Sequence, residues 1–105
     1  MTAYIEPICG RYIHLELGGK PHRVYFEEAG PADGIPLVCL HTAGADNKQW
    51  RHLLTDEAVT THYRVLAFDM PWHGKSLPPA GWRDDGDYAL TAASYAELIL
   101  SLIHI

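Results

Sequence analysis

The stretch Pro36-Leu37-Val38-Cys39-Leu40-His41-Thr42-Ala43-Gly44-Ala45-Asp46 decides the fold. Leu37 to Leu40 are apolar without alternation, which suits a strand covered on both faces, and such strands are as a rule parallel and central. From His41 the chain turns small and polar, so a loop follows the strand. Asp46 then offers an N-cap, with Gln49 three residues on in a capping-box arrangement. Trp50, Leu53, Leu54 and Ala58 recur at i, i+3, i+4 and i+8, the spacing of one helix face. A second apolar strand, Val65 to Phe68, comes next. Strand, helix and strand in that order, with both strands apolar throughout, imply a right-handed crossover and parallel pairing.

Outward from this unit the pattern changes. Upstream, Arg11 to Leu17 alternates, with Ile13, Leu15 and Leu17 on one side and Tyr12, His14 and Glu16 on the other. His22 to Glu28 alternates again through Val24 and Phe26. With Gly18-Gly19-Lys20-Pro21 between them, the two runs read as an antiparallel hairpin. Downstream, Asp69 to Tyr88 carries Pro71, Gly74, Pro78, Pro79, Gly81 and Gly86, too many breakers for a regular element. A loop of that length is a candidate wall of a functional site. Thr91 opens a last helix with Tyr95, Leu98, Ile99 and Leu102 as its apolar stripe. The fold class is therefore α/β: an amino-terminal antiparallel hairpin, then parallel strands joined by a crossover helix. The sequence ends inside a helix, leaving one sheet edge without a partner strand, so residues 1–105 are expected to be part of a larger domain.

Composition narrows the functional classes. The 105 residues are 48% hydrophobic and 20% charged, with 8 Lys+Arg against 13 Asp+Glu and a formal charge of −5. No apolar run approaches the roughly 20 residues of a membrane helix, and Met1 to Tyr12 lacks the basic start and apolar core of a secretory leader. An acidic chain without a Lys/Arg cluster also lacks the charge needed to neutralise phosphates. The expected setting is cytoplasmic and the expected partner a small-molecule substrate, with neither nucleic acid nor membrane. Cys9 and Cys39 are expected to stay reduced, as cytoplasmic thiols do.

Two loops follow the carboxyl ends of the two apolar strands: His41 to Asp46, and Asp69-Met70-Pro71-Trp72-His73-Gly74-Lys75-Ser76. In open parallel sheets ligands bind at those ends, so both loops belong to the functional rim. The first is built of small residues with a helix start behind it, which either leaves backbone N–H groups to face a developing oxyanion, Ala43 best placed among them, or makes Thr42-Ala43-Gly44 a plain tight strand-to-helix connection. Gly74-Lys75-Ser76 resembles the end of a phosphate-binding loop, but the glycine required five positions earlier is Asp69. Seven histidines suggest a metal, yet His41, His52, His62 and His73 include no i, i+4 helical pair, so no metal and no cofactor is expected. His41 and His73 are expected to brace the loops by hydrogen bonds. Asp69 is read as the cap of the turn after its strand, and Asp84-Asp85 as solvated loop charge.

Leu37 to Gly44, Trp50, and Val65 to Ser76 together resemble the amino-terminal part of the α/β-hydrolase superfamily. Members carry one apolar strand ending in His-Gly-x-Gly and a second ending in Asp-x-Pro-Gly-x-Gly-x-Ser. Thr42 stands where the first motif has glycine, and Trp72 where the second has glycine after proline. The resemblance implies a partial α/β-hydrolase sheet with an oxyanion hole built by Ala43 and Thr42. It makes His41, Gly44 and Trp72 the candidate substrate contacts, with Trp72 at the entrance of an apolar pocket. The family's nucleophile sits on a Gly-x-Ser-x-Gly elbow, with an acid and a histidine later in the chain. No such elbow occurs here, and Ser76, Ser94 and Ser101 lack the glycine frame. The implied parent cleaves an ester, amide or related bond, whereas these residues alone are expected to be inactive. A non-catalytic ligand-binding member of the fold and a self-contained binding module are the alternatives.

Overall fold

The computed structural model describes residues 2–42, 44–76 and 91–102. Four strands form one sheet: β1 (Cys9–Leu17), β2 (Lys20–Ala29), β3 (Ile35–Leu40) and β4 (Tyr63–Phe68), in the order β1-β2-β4-β3. β1 and β2 pair antiparallel from Cys9↔Glu28 to Leu17↔Lys20, and the turn is only Gly18-Gly19. Both glycines have positive φ, 59° and 75°, as a two-residue hairpin turn with the twist of its strands requires. β2 pairs antiparallel with β4, and β3 pairs parallel with β4 from Ile35↔Tyr63 to Leu40↔Phe68. The expected hairpin and parallel pair are both present, joined through β4.

Each face of the sheet carries its own apolar cluster. On one face Val24, Phe26, Leu66 and Phe68 pack with Met70 and with Leu98 and Leu102 of α3 (Ala92–Leu102), flanked by Ile13, Leu15 and Leu17. On the other, Ala29, Cys39, Val65 and Ala67 pack with Leu54, Trp50 and Leu53. Phe68 and Val65 are fully buried. At roughly 1.5–3 kcal/mol per buried side chain of this kind, β4 is the strand around which the sheet is organised. Thr91 caps α3 reciprocally with Ser94: Ser94 N–H donates to Thr91 Oγ1 at 3.1 Å and Thr91 N–H to Ser94 Oγ at 2.9 Å. Glu97 on α3 accepts from Gly18 N–H at 2.8 Å, which docks the helix against the hairpin turn.

Three points refine these expectations. First, among the described residues β3 lies at the edge of the sheet, the edge expected to lack a partner strand, with Ile35 61% and Val38 39% exposed. Its Leu40 end packs against the cluster under α3. Second, the expected single helix from Asp46 is three short pieces: a 3-10 turn (Asn47–Trp50), α1 (Arg51–Leu54) and α2 (Glu57–Thr60). Asp56 breaks the run, its side chain accepting from Ala58 N–H at 2.9 Å and starting α2 as a new N-cap. Third, Ile99 of the α3 stripe is 41% exposed, because the helix turns only Leu98 and Leu102 fully into the core. Of the expected long loop, residues 69–76 are described; Pro78, Pro79, Gly81, Asp84, Asp85 and Gly86 lie outside the described residues.

Candidate active-site rim

β3 and β4 run parallel, so the loops after Leu40 and Phe68 emerge side by side at one end of the sheet. The polar residues buried among the described ones are His22, His41, Asn47, Asp69 and Ser76. All but His22 stand in or next to these loops. Burying a polar group is unfavourable unless its hydrogen bonds are made, so this clustering marks where the fold spends stability on arrangement.

Asp69, 1% exposed, is the centre. Its Oδ1 accepts from Asn47 N–H at 2.7 Å and from Asn47 Nδ2 at 2.9 Å, and its Oδ2 accepts from Lys75 N–H at 2.7 Å. One carboxylate thus ties the start of the 3-10 turn to the far end of the second loop. Gly74 has φ +52°, and a Cβ there would collide with this carboxylate, so the glycine is required both for its backbone conformation and for the approach. Bonding the Asp69 carboxylate with its Nδ2, Asn47 turns Oδ1 away; that atom and Trp50 Nε1 are buried without a hydrogen-bond partner among the described residues.

Ser76 extends the β2–β4 ladder past its end. Asp69 N–H donates to the Tyr25 carbonyl at 2.9 Å, but the return bond is relayed: Tyr25 N–H donates to Ser76 Oγ at 2.8 Å, and that hydroxyl donates to the Asp69 carbonyl at 2.6 Å. The Tyr25 ring, on the side of β2 opposite Val24 and Phe26, is buried as well. Its hydroxyl donates to Glu27 Oε2 at 2.9 Å, and Lys75 Nζ stands 4.8 Å from the ring centroid. Burial, reinforced by Glu27 and by the nearby charge of Asp69, pushes the Tyr25 phenol up to about 12.

His41, 4% exposed, joins the two loops directly. Its Nε2 accepts from Met70 N–H at 2.9 Å, so the proton sits on Nδ1, which donates to the Thr42 carbonyl at 2.8 Å. The His73 ring lies 4.9 Å away, tilted by 58°. Thr42 is exposed, and its N–H donates to Gln49 Oε1 at 2.9 Å. Gln49, expected to close a capping box, therefore reaches back to the loop, while Asp46 caps the turn alone by accepting from Lys48 N–H at 2.9 Å. Gly44 has φ 79°. Ala43 lies outside the described residues. Trp72 is half-buried with φ 73°, a left-handed backbone unusual for a large side chain, at the position where the motif it resembles has glycine.

The hydroxyls of all three serines bond to nearby backbone: Ser76 as above, Ser94 to the Thr91 carbonyl and Ser101 to the Glu97 carbonyl. Cys9 and Cys39 are both free thiols, and burial raises the pKa of the Cys39 thiol. Sequence reading did not single out Asn47 and assigned Gln49 to a different bond. The available signal was their position directly behind the first loop, on a turn whose polar side chains must face it.

A parallel strand pair with a hairpin on one side and two clasped loops at its carboxyl end is a partial mixed sheet of the kind found in alpha/beta hydrolases. A family model described as the alpha/beta hydrolase family matches residues 37–104, and the chain belongs to that family. A 2-hydroxy-6-oxononadienedioate/2-hydroxy-6-oxononatrienedioate hydrolase of Escherichia coli is 29% identical over 104 residues, covering 95% of this chain and 36% of the relative. The Cif epoxide hydrolase from Acinetobacter nosocomialis superposes with a TM-score of 0.69 at 26% identity, over 96% of this chain and 27% of that one. A hydrolase from Pseudomonas aeruginosa gives 0.65 at 28% identity, over 89% and 31%. The chain thus spans about a third of the length of the curated relatives it matches.

Proposed function

We propose that the full-length protein carrying this segment is a hydrolase that cleaves an ester, amide or related bond of a small-molecule substrate through an activated nucleophile. The observation that supports this most is the clasp of the two rim loops by His41 and Asp69 at the carboxyl ends of parallel β3 and β4. Catalysis of this kind needs donors set in advance where negative charge develops, and a loop tied to a neighbouring loop through buried hydrogen bonds provides that rigidity. In this reading Ala43 N–H is the oxyanion donor and Thr42 the wall beside it, with His41, Gly44 and Trp72 bordering the substrate. Trp72 narrows the entrance and favours an apolar substrate group.

The nucleophile, acid and histidine come from the remaining length of the protein, and residues 1–105 alone have no activity. Nucleic acid, membrane and cofactor have no part in the reading. Among the described residues no helix is long and apolar enough to cross a membrane. The test is hydrolysis of para-nitrophenyl acetate and of an aryl amide by the full-length protein, with residues 1–105 as control. Turnover by the first and none by the second is expected. Binding of small apolar esters without turnover would replace the hydrolase with a non-catalytic member of the fold.

A further inference from the structure

Thr42 occupies the place of a motif glycine, and the chain answers its extra polar group with a partner. Gln49 Oε1 accepts the Thr42 N–H at 2.9 Å and also the Thr42 hydroxyl at 3.2 Å, while the Thr42 carbonyl accepts from His41 Nδ1–H at 2.8 Å. Every polar group of residue 42 is held. The two anchors are themselves fixed: His41 by Met70 N–H, and Gln49 by its place on the 3-10 turn, which Asp46 caps and Asn47 ties to Asp69.

We propose that Gln49 is a positioning residue of the first rim loop, its single Oε1 gathering the N–H and hydroxyl of Thr42 so that residue 42 acts as the anchor of the oxyanion loop. The inference deepens the hydrolase reading above and rests on it. It assigns Thr42 a different part from the glycine of the motif. A glycine leaves the loop free to settle by backbone alone, whereas threonine brings a hydroxyl that rotates and bonds elsewhere unless an acceptor waits for it. Gln49 supplies that acceptor from seven residues downstream. The carboxamide oxygen is the part that matters, since both bonds run into it.

Gln49→Met keeps the side-chain length and removes the acceptor; Gln49→Glu keeps an acceptor in place. In the full-length protein acting on para-nitrophenyl acetate, Gln49→Met is expected to lower kcat about tenfold or more with KM within about twofold, as loss of positioning rather than of binding does. Gln49→Glu recovers most of that loss. Thr42→Val, which removes one of the two bonds, loses less than Gln49→Met. In parallel, the Thr42 amide exchanges with solvent faster in Gln49→Met than in wild type. Wild-type kcat in Gln49→Met, or unchanged Thr42 exchange, would overturn the assignment. Should the wild-type protein turn over neither ester nor amide, the hydrolase reading fails by itself, and the exchange rate alone decides the anchor: faster exchange supports it and unchanged exchange refutes it.

Discussion

The two rim loops are held by different means. The second, Asp69 to Ser76, is organised around a carboxylate and a serine hydroxyl that are both buried. The first, His41 to Asp46, has one buried anchor in His41, and its other side-chain hydrogen bonds, between Thr42 and Gln49 and from Lys48 to Asp46, are exposed to solvent. Buried hydrogen bonds are costly to break because the abandoned partner cannot turn to water, whereas exposed ones exchange for water at little cost. The second loop is thus part of the fold's stability, whereas the exposed bonds of the first fix that loop's position while adding little to stability. Thr42 and Trp72, the two departures from glycine, fall one on each side of this division.

Asp69→Ala gives the largest expected effect. It leaves Asn47 N–H, Asn47 Nδ2 and Lys75 N–H without their acceptor and should destabilise the full-length protein by about 3–5 kcal/mol in denaturant unfolding. Ser76→Ala interrupts the relay and strands the buried Tyr25 N–H, for an expected loss of about 1–3 kcal/mol. A loss near zero would mean that the backbone closes the Tyr25–Asp69 bond directly. Trp72→Gly relieves roughly 1–2 kcal/mol of left-handed strain but gives up the burial of a half-buried indole and raises unfolded-chain entropy, so stability should change by less than about 1 kcal/mol. Thr42→Gly, in the first loop, should change stability by less than about 0.5 kcal/mol, since its bonds are exposed. An effect as large as that of Ser76→Ala would erase the distinction between the loops.

Tyr25 gives the comparison a pH dependence. Its phenol titrates at about 12 in the folded protein against 10.0 ordinarily, so the folded state holds that proton more tightly. The corresponding stability is complete below pH 10 and is lost as pH rises toward 12. Tyrosinate absorbance during alkaline titration should show one late-titrating group that Tyr25→Phe removes.

Much of this arrangement was legible in the residues. The alternation of Ile13, Leu15 and Leu17 and of Val24 and Phe26 specified the hairpin, and the apolar runs at Leu37 and Val65 specified the parallel pair. What periodicity does not encode is rank within the sheet. Leu37 to Leu40 and Val65 to Phe68 are equally apolar, yet among the described residues β4 is flanked on both sides and β3 on one. The break at Asp56 was hidden because Trp50, Leu53, Leu54 and Ala58 keep helical spacing across the three short pieces. At the rim, the motifs named both loops and the special place of Thr42 and Trp72. The bonds of Asn47, Gln49 and Ser76 depend on which polar atoms meet in three dimensions, and sequence spacing carries no record of that.

The most direct test of the central claim is a crystal structure of the full-length protein inhibited by a phosphonate ester that mimics the tetrahedral intermediate. The phosphoryl oxygen is expected within hydrogen-bond reach of the amide of Ala43, between the loops that His41 and Asp69 clasp. A phosphonate bound with that oxygen turned away from residues 41–44, or seated at another edge of the sheet, would contradict it.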